Sequence, residues 1–348
     1  MELNPVPLSP FELDIAAQPD ALRQFAASAA ASSEVAGVLC ADYDRVVFTG
    51  MGSSHFAALP SWRQLVATGR GAWWVDSGQL LDSPRLITPE TLLVITSQSG
   101  ASGEVAALLD ADGDQPVVPR AVVGITNDEG SSLASSSDAV IALHSGSEAT
   151  VSTKSYLNSL AAHQHLLGIM AGAPPATGSV TDTAKLLEDL NPAADATALA
   201  EILTAADNPR IAYIGCKDHA ATALYAGLIT KEAAKVAAEG FIGGEFRHGP
   251  LELAGPGLAA VLFGAWAGDT SSPLPALADD LIASGADVTL VGDLEQRGAR
   301  TVPIPRGSSL TELGAAAVVA QHIAVRIARA RGIEPGSFAY GRKVTTIL

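Results

Sequence analysis

The sequence holds two cysteines in 348 residues, Cys40 and Cys216. Each stands alone, with no Cys or His at ligand spacing, which argues against both a disulfide framework and a zinc site; both read as core residues. Basic residues are also scarce: 21 Lys and Arg against 37 Asp and Glu leave a net charge of −16. Nucleic acid and anionic membrane both require a basic footprint, so neither is expected as a partner. No DNA-binding helix-turn-helix or basic tail precedes Asp14, which argues against a transcriptional sensor. No apolar run approaches the ~20 residues of a membrane span, and the N-terminus lacks a basic-then-apolar signal, so a cytoplasmic protein is expected. With so few cations, an anionic small ligand would have to be held by local dipoles.

What the chain does have is length, apolar alternation and hydroxyl-rich turns. Its 348 residues exceed what one core usually serves, so two domains are expected. The central stretch runs from the strand Val94-Ile95 through Thr96-Ser97-Gln98-Ser99-Gly100-Ala101-Ser102-Gly103 into a helix at Glu104. Such a turn places hydroxyls and unpaired N–H groups at a helix N-terminus, where the macrodipole favours a phosphate. A Ser-rich turn that only caps its own helix is the plainer alternative. A second strand–turn–helix unit precedes it: Arg45–Gly50, then Met51-Gly52-Ser53-Ser54-His55, then a helical run from Phe56 to Val66.

Further apolar strands at 72–76, 121–125 and 139–143, separated by helical segments, predict a doubly wound parallel sheet. A helical pattern from Lys154 to Met170 breaks at Pro174-Pro175-Ala176-Thr177-Gly178-Ser179, the best linker candidate. A helical segment over about Thr183–Ala205 leads into a second half that repeats the first. It has strand 211–214, turn Gly215-Cys216-Lys217-Asp218-His219, a helix over 220–238, strands at 259–263, 287–291 and 301–304, and a long helix from Glu312 to Arg331. A period near half the chain means duplicated domains. The expected division is an N-terminal arm over 1–34, a first domain over 35–172, a linker over 173–193 and a second domain over 194–348.

These residues resemble the sugar isomerase (SIS) family, in particular the isomerase half of glucosamine-6-phosphate synthase and its stand-alone relatives. Gly50-Met51-Gly52-Ser53-Ser54 is similar to the first family loop and Ser97-Gln98-Ser99-Gly100 to its phosphate loop. Glu148 with Ser152-Thr153-Lys154 matches the motif after strand five. Lys231-Glu232, Gly244-Glu245-Phe246-Arg247-His248-Gly249-Pro250-Leu251 and the tail Arg342-Lys343-Val344-Thr345 resemble the segments that carry the isomerase chemistry. The resemblance implies an α/β fold of two tandem SIS domains, each a doubly wound, mostly parallel five-stranded sheet flanked by helices in the flavodoxin-like manner. It implies no metal or cofactor, and a homodimer.

By the same resemblance, Gly52, Ser53, Ser54, Ser97, Gln98, Ser99, Ser102 and Ser152 hold a sugar 6-phosphate. Glu232 shuttles a proton between C1 and C2, and His248 opens the ring, contributed across a dimer interface. Lys343 is the candidate for an imine or a ring-opening contact, with Arg342 competing for its register. From spacing alone, Glu232 also reads as a helix salt bridge with Lys231 or Lys235, and His248 as a loop cap. Ile229 stands where the synthase carries a second lysine, and no glutaminase-length segment precedes the first SIS domain. The expected activity is therefore an isomerase/deaminase converting a 6-phosphorylated amino sugar to a ketose 6-phosphate and ammonia. A deglycase of a glycated-amine ketose 6-phosphate and a non-catalytic sugar-phosphate sensor are the alternatives.

Overall fold

A computed structural model describes residues 7–29, 34–110, 118–173, 177–205 and 209–346. Part of the Pro-rich linker candidate, residues 174–176, lies outside the described residues. The chain begins with helices α1 (Pro10–Ala16), α2 (Gln18–Ala29) and α3 (Glu34–Leu39). There follow β1 (Arg45–Gly50), α4 (Gly52–Ala67), β2 (Ala72–Trp74), α5 (Ser77–Asp82), β3 (Thr91–Thr96), α6 (Gly103–Leu108), β4 (Ala121–Thr126), α7 (Ser132–Ser135) and β5 (Ala139–Ala142). Helices α8 (Lys154–Met170), α9 (Thr177–Asp189) and α10 (Ala193–Ala205) lead to β6 (Arg210–Gly215), α11 (His219–Ala234) and β7 (Ala238–Ile242). The chain continues through β8 (Leu258–Ala265), α12 (Leu274–Ala283), β9 (Asp287–Gly292), β10 (Ala299–Pro303) and α13 (Ser309–Ala330).

Among the described residues the strands form two five-stranded sheets in which every pairing is parallel. The first has the order β2-β1-β3-β4-β5 and the second, read from its other edge, β7-β6-β8-β9-β10. The two orders are the same relative to chain direction, so the repeat expected from the sequence is a repeat of topology. Strands β3 and β4 are buried along their whole length, as continuous apolar runs covered by helices on both faces require. The largest buried cluster runs without a break from Phe48 and Val94 of the first sheet, through α8, α11 and α13, to Tyr213 and Phe263 of the second. Helix α13 is long and apolar enough to cross a membrane by composition, but most of its apolar window is buried inside the fold, which accounts for that composition.

Two elements differ from the expectation. The helix expected to run through Ala238 ends at Ala234, where Lys235 adopts a left-handed cap with φ 55, and Ala238–Ile242 forms the edge strand β7. The single segment expected over 183–205 is two helices, broken at Asn191-Pro192, because proline lacks the N–H that a continuous helix needs. Most of the stretch expected as a linker is therefore helical, with α9 burying Val180, Ala184 and Leu187.

Register fixes where the loops emerge. Gly50, the last residue of β1, pairs with Thr96, the last of β3, and Thr96 pairs with Ile125 near the end of β4. The turns after β1 and β3 thus leave the sheet side by side at its carboxyl edge. Between these strands the chain order reverses, which is where open α/β sheets bind ligands.

Candidate functional site

A cleft of about 400 Å³ opens at this switch point. The turn after β1 supplies Met51, Gly52, Ser53 and Ser54; the turn after β3 supplies Ser97, Gln98, Ser99 and Ser102; the loop before α8 supplies Thr150, Val151 and Ser152. Helix α11 closes one side with Leu228 and Glu232, and the tail crosses the mouth with Phe338, Arg342, Lys343, Val344 and Thr345. The structure therefore gathers Gly52, Ser53, Ser54, Ser97, Gln98, Ser99, Ser102, Ser152, Glu232 and Lys343 around one cavity. His248 does not join them: it is exposed in the loop after the short turn at 243–247, away from this cleft.

Apart from Ser99, whose hydroxyl accepts from the Ala101 amide at 3.3 Å, the serines of the cleft differ from those that follow β4 in how their hydroxyls are used. Those of Ser131, Ser132, Ser135, Ser137 and Ser145 are all spent on neighbouring backbone or side chains. Among the described residues, the hydroxyls of Ser53, Ser54, Ser97, Ser102 and Ser152 and the side-chain amide of Gln98 make no intramolecular hydrogen bond. Neither Met51, which precedes α4, nor Ser102, which precedes α6, caps its helix with its side chain. The caps that the plainer sequence alternative demanded are therefore absent, and the donors face the cavity.

Local packing holds the loops in this pose. Gly100 has φ +61, and a Cβ there would lie 2.0 Å from the Ser131 hydroxyl oxygen, so only glycine lets the turn after β3 lie against the turn after β4. The loop before α8 is pinned from the N-terminal arm. Asp14 accepts from the Ala149 amide at 2.8 Å and pairs with Lys154, also at 2.8 Å, both side chains nearly buried. From the other half, the Tyr225 hydroxyl donates to the Ser152 carbonyl at 2.6 Å while its ring stacks on Tyr156. Gln321 donates to that same hydroxyl oxygen and exchanges two amide hydrogen bonds with Gln18. Arm, α11, α13 and cleft loop are thus joined by one buried hydrogen-bonded network, which favours a single geometry.

The organising carboxylate is Glu148, whose side chain has no exposed surface. One oxygen accepts from the amides of Thr153 and Ser155 and from the Thr153 hydroxyl; the other accepts from the Ser155 hydroxyl and, at 2.6 Å, from the Lys343 ammonium. Burial pushes its acidity towards the neutral form, but the Lys343 charge and these donors outweigh that and hold the carboxyl below its ordinary range. Lys343 also donates to the Thr150 carbonyl at 2.6 Å, so two of its three protons are placed and the third is available to the cleft. By sequence Glu148 stands in the motif after strand five with no role assigned to it. Its position seven residues before a Ser at a helix start was the available signal.

Glu232 is held differently. Desolvation raises its pKa above the ordinary value; Lys343, Lys235 and Lys231 pull the other way without cancelling the effect, and Glu148 adds to it. Lys235 donates to the Glu232 carbonyl and to the Ser337 carbonyl of the tail, and the Gly336 amide donates to Ala233. At the far side, the Gly103 amide donates to the Thr345 carbonyl. The tail is thereby strapped from the end of α11 across to the start of α6, which brings Lys343 and Arg342 to the same mouth. No cluster of His, Cys, Asp or Glu among the described residues has metal-binding geometry.

Residues 39–168 match the SIS domain family model. Over 266 residues the chain is 29% identical to the glutamine–fructose-6-phosphate aminotransferase (isomerizing) of Pyrococcus horikoshii, covering 72% of this chain and 42% of that protein. The Thermococcus kodakarensis protein of the same name is 27% identical over 310 residues, covering 85% of this chain and 51% of that protein. The chain spans about half or less of the length of these relatives. Among solved structures, the C-terminal domain of glucosamine-fructose-6-phosphate aminotransferase from Francisella tularensis superposes with a TM-score of 0.80 at 18% identity, covering 93% of this chain and 96% of that one. Glucosamine-6-phosphate deaminase from Thermotoga maritima does so with a TM-score of 0.72 at 20% identity, covering 97% and 99%. At such identities these likenesses establish the fold, and within it residues 39–168, which hold the first sheet and the serine turns, match a SIS domain.

Proposed function

We propose that this protein is a phosphosugar isomerase/deaminase that converts a 6-phosphorylated amino sugar to a ketose 6-phosphate and ammonia. One observation carries the reading: unspent neutral donors from two switch-point turns share a single cleft with a desolvated carboxylate and an ammonium. The turns after β1 and β3 suit a phosphate and sugar hydroxyls. Glu232, kept basic by burial, suits proton transfer between C1 and C2, because a base works best when its pKa lies near the working pH. Lys343 is the counter-ion of the anionic Glu148, which favours an ammonium that donates to the sugar oxygen during ring opening over an amine that forms an imine. The names of the relatives and of the Thermotoga maritima structure point to the same class of amino-sugar phosphate chemistry. Ile229, fully buried in the core, leaves the site without a second lysine on that turn, which favours amine release over synthesis.

We further read the second sheet as a second SIS domain, on the strength of its repeated strand order, and the working unit as a homodimer. The exposed His248 would then act in the cleft of the other copy. Mixing His248→Ala with Glu232→Gln protein, each inactive alone, should restore turnover through hybrid dimers, and no recovery on mixing would remove His248 from the chemistry.

The phosphate assignment is tested by Ser97→Ala. It should weaken binding of a hexosamine 6-phosphate by roughly 1–3 kcal/mol through the loss of a charge-assisted hydrogen bond, and leave the unphosphorylated sugar nearly unaffected. Calorimetry on both ligands measures this. Equal losses for the two would show that the turn after β3 does not hold phosphate.

A further inference from the structure

The second sheet has its own switch point, between β6 and β8, and a crevice of about 420 Å³ opens there. It shares no lining residue with the serine cleft. Its floor is His219, the first residue of α11. The side chain is 8% exposed, and neither ring nitrogen has a hydrogen-bond partner among the described residues. The nearest acceptor, a Glu312 carboxylate oxygen, stands 3.6 Å from Nε2, too far for a hydrogen bond. The seat is specific, since a Cβ on Gly264, at φ +76, would come within 2.4 Å of the His219 ring. A buried polar ring with neither nitrogen hydrogen-bonded, facing a cavity beside a carboxylate at 3.6 Å, is the kind of group that a ligand satisfies.

The chemistry of the walls narrows what that ligand is. Three cations, Arg63, Lys217 and Arg306, line the crevice with three carboxylates, Asp218, Asp269 and Glu312. The positive helix ends are closed. The first amides of α11 donate to the carbonyls of Cys216, Lys217 and Asp218, Asp218 precedes that helix, and Glu312 lies in the first turn of α13. A phosphate would meet these carboxylates. A hydroxyl both donates and accepts, so it matches mixed walls of this kind. Arg63 touches Asp218 through Nε alone at 3.3 Å, leaving its terminal nitrogens without a partner among the described residues.

We propose that this crevice is a second small-molecule site, taking an unphosphorylated sugar or related polyol, with His219 and Arg63 as its principal contacts. The experiment follows the histidine ring signals of the full chain by NMR while free hexoses and hexosamines are titrated, with His219→Gln identifying the His219 signal. A saturable shift of that signal is expected with at least one of these sugars, and none with inorganic phosphate. Arg63→Gln should weaken the response roughly tenfold, the scale of one hydrogen bond to a charged group, while Ser97→Ala should leave it unchanged. The proposal is overturned if no sugar moves the His219 signal, if phosphate moves it as much as sugar does, or if Ser97→Ala abolishes the shift and Arg63→Gln spares it.

Discussion

Glu232→Gln is expected to abolish exchange of the C1 or C2 hydrogen of a sugar 6-phosphate with deuterated solvent while leaving that ligand bound. The amide keeps the shape of the carboxylate but cannot accept a proton, so exchange should fall by roughly 10²-fold or more, the usual contribution of a positioned base. The pH profile carries the same signature. The base acts only as a carboxylate, and desolvation lifts its pKa above the ordinary 4.5, so the acid limb of wild-type exchange should be centred above that value, with activity lost as pH falls through it. Undiminished exchange in the variant would move the base elsewhere, with Glu245 and His248 the next to test. Binding without exchange in the wild type, across a panel of sugar phosphates, would favour a sensor.

What the sequence made legible was local. The turns after β1 and β3 show as hydroxyl and glycine runs between a buried strand and a helix, and the apolar runs of β3 and β4 are continuous because both faces are covered. Strand β7 escaped notice because Ala238-Glu239-Gly240-Phe241-Ile242 pairs on one side only and carries an exposed acid and a glycine, so it has no period to detect. Sequence could not distinguish a spent serine from a free one either. Ser97 and Ser131 look alike in a Ser-rich chain, and only the fold shows the Ser131 hydroxyl donating to the Asp128 carbonyl while that of Ser97 remains open. The contact that matters most to the site was the least visible, since Glu148 and Lys343 are 195 residues apart. Such pairings are a property of topology: the tail reaches the first sheet because Lys235 and Gly336 tie it to the end of α11.

That contact also predicts the largest stability effect. Glu148→Gln places an amide where four donors and an ammonium converge on a carboxylate with no exposed surface. Breaking a buried ion pair from one side commonly costs about 3–5 kcal/mol. Here roughly the low end is expected, because Lys343 is about a quarter exposed and can turn to water. The tail should loosen with it, so turnover should fall along with stability. The pH dependence fixes the cause. The folded pKa of Glu148 lies below its ordinary 4.5, so its contribution is complete above the unfolded value and is lost as pH falls through the folded one. Wild type should therefore lose its advantage over Glu148→Gln on acidification below about pH 4.5, a window set by the unfolded carboxyl. Urea denaturation of both proteins at pH 7 and at successively lower pH measures the difference. A gap that stays constant into strong acid would mean that Glu148 acts through shape alone, and that its charge does not hold Lys343 at the cleft.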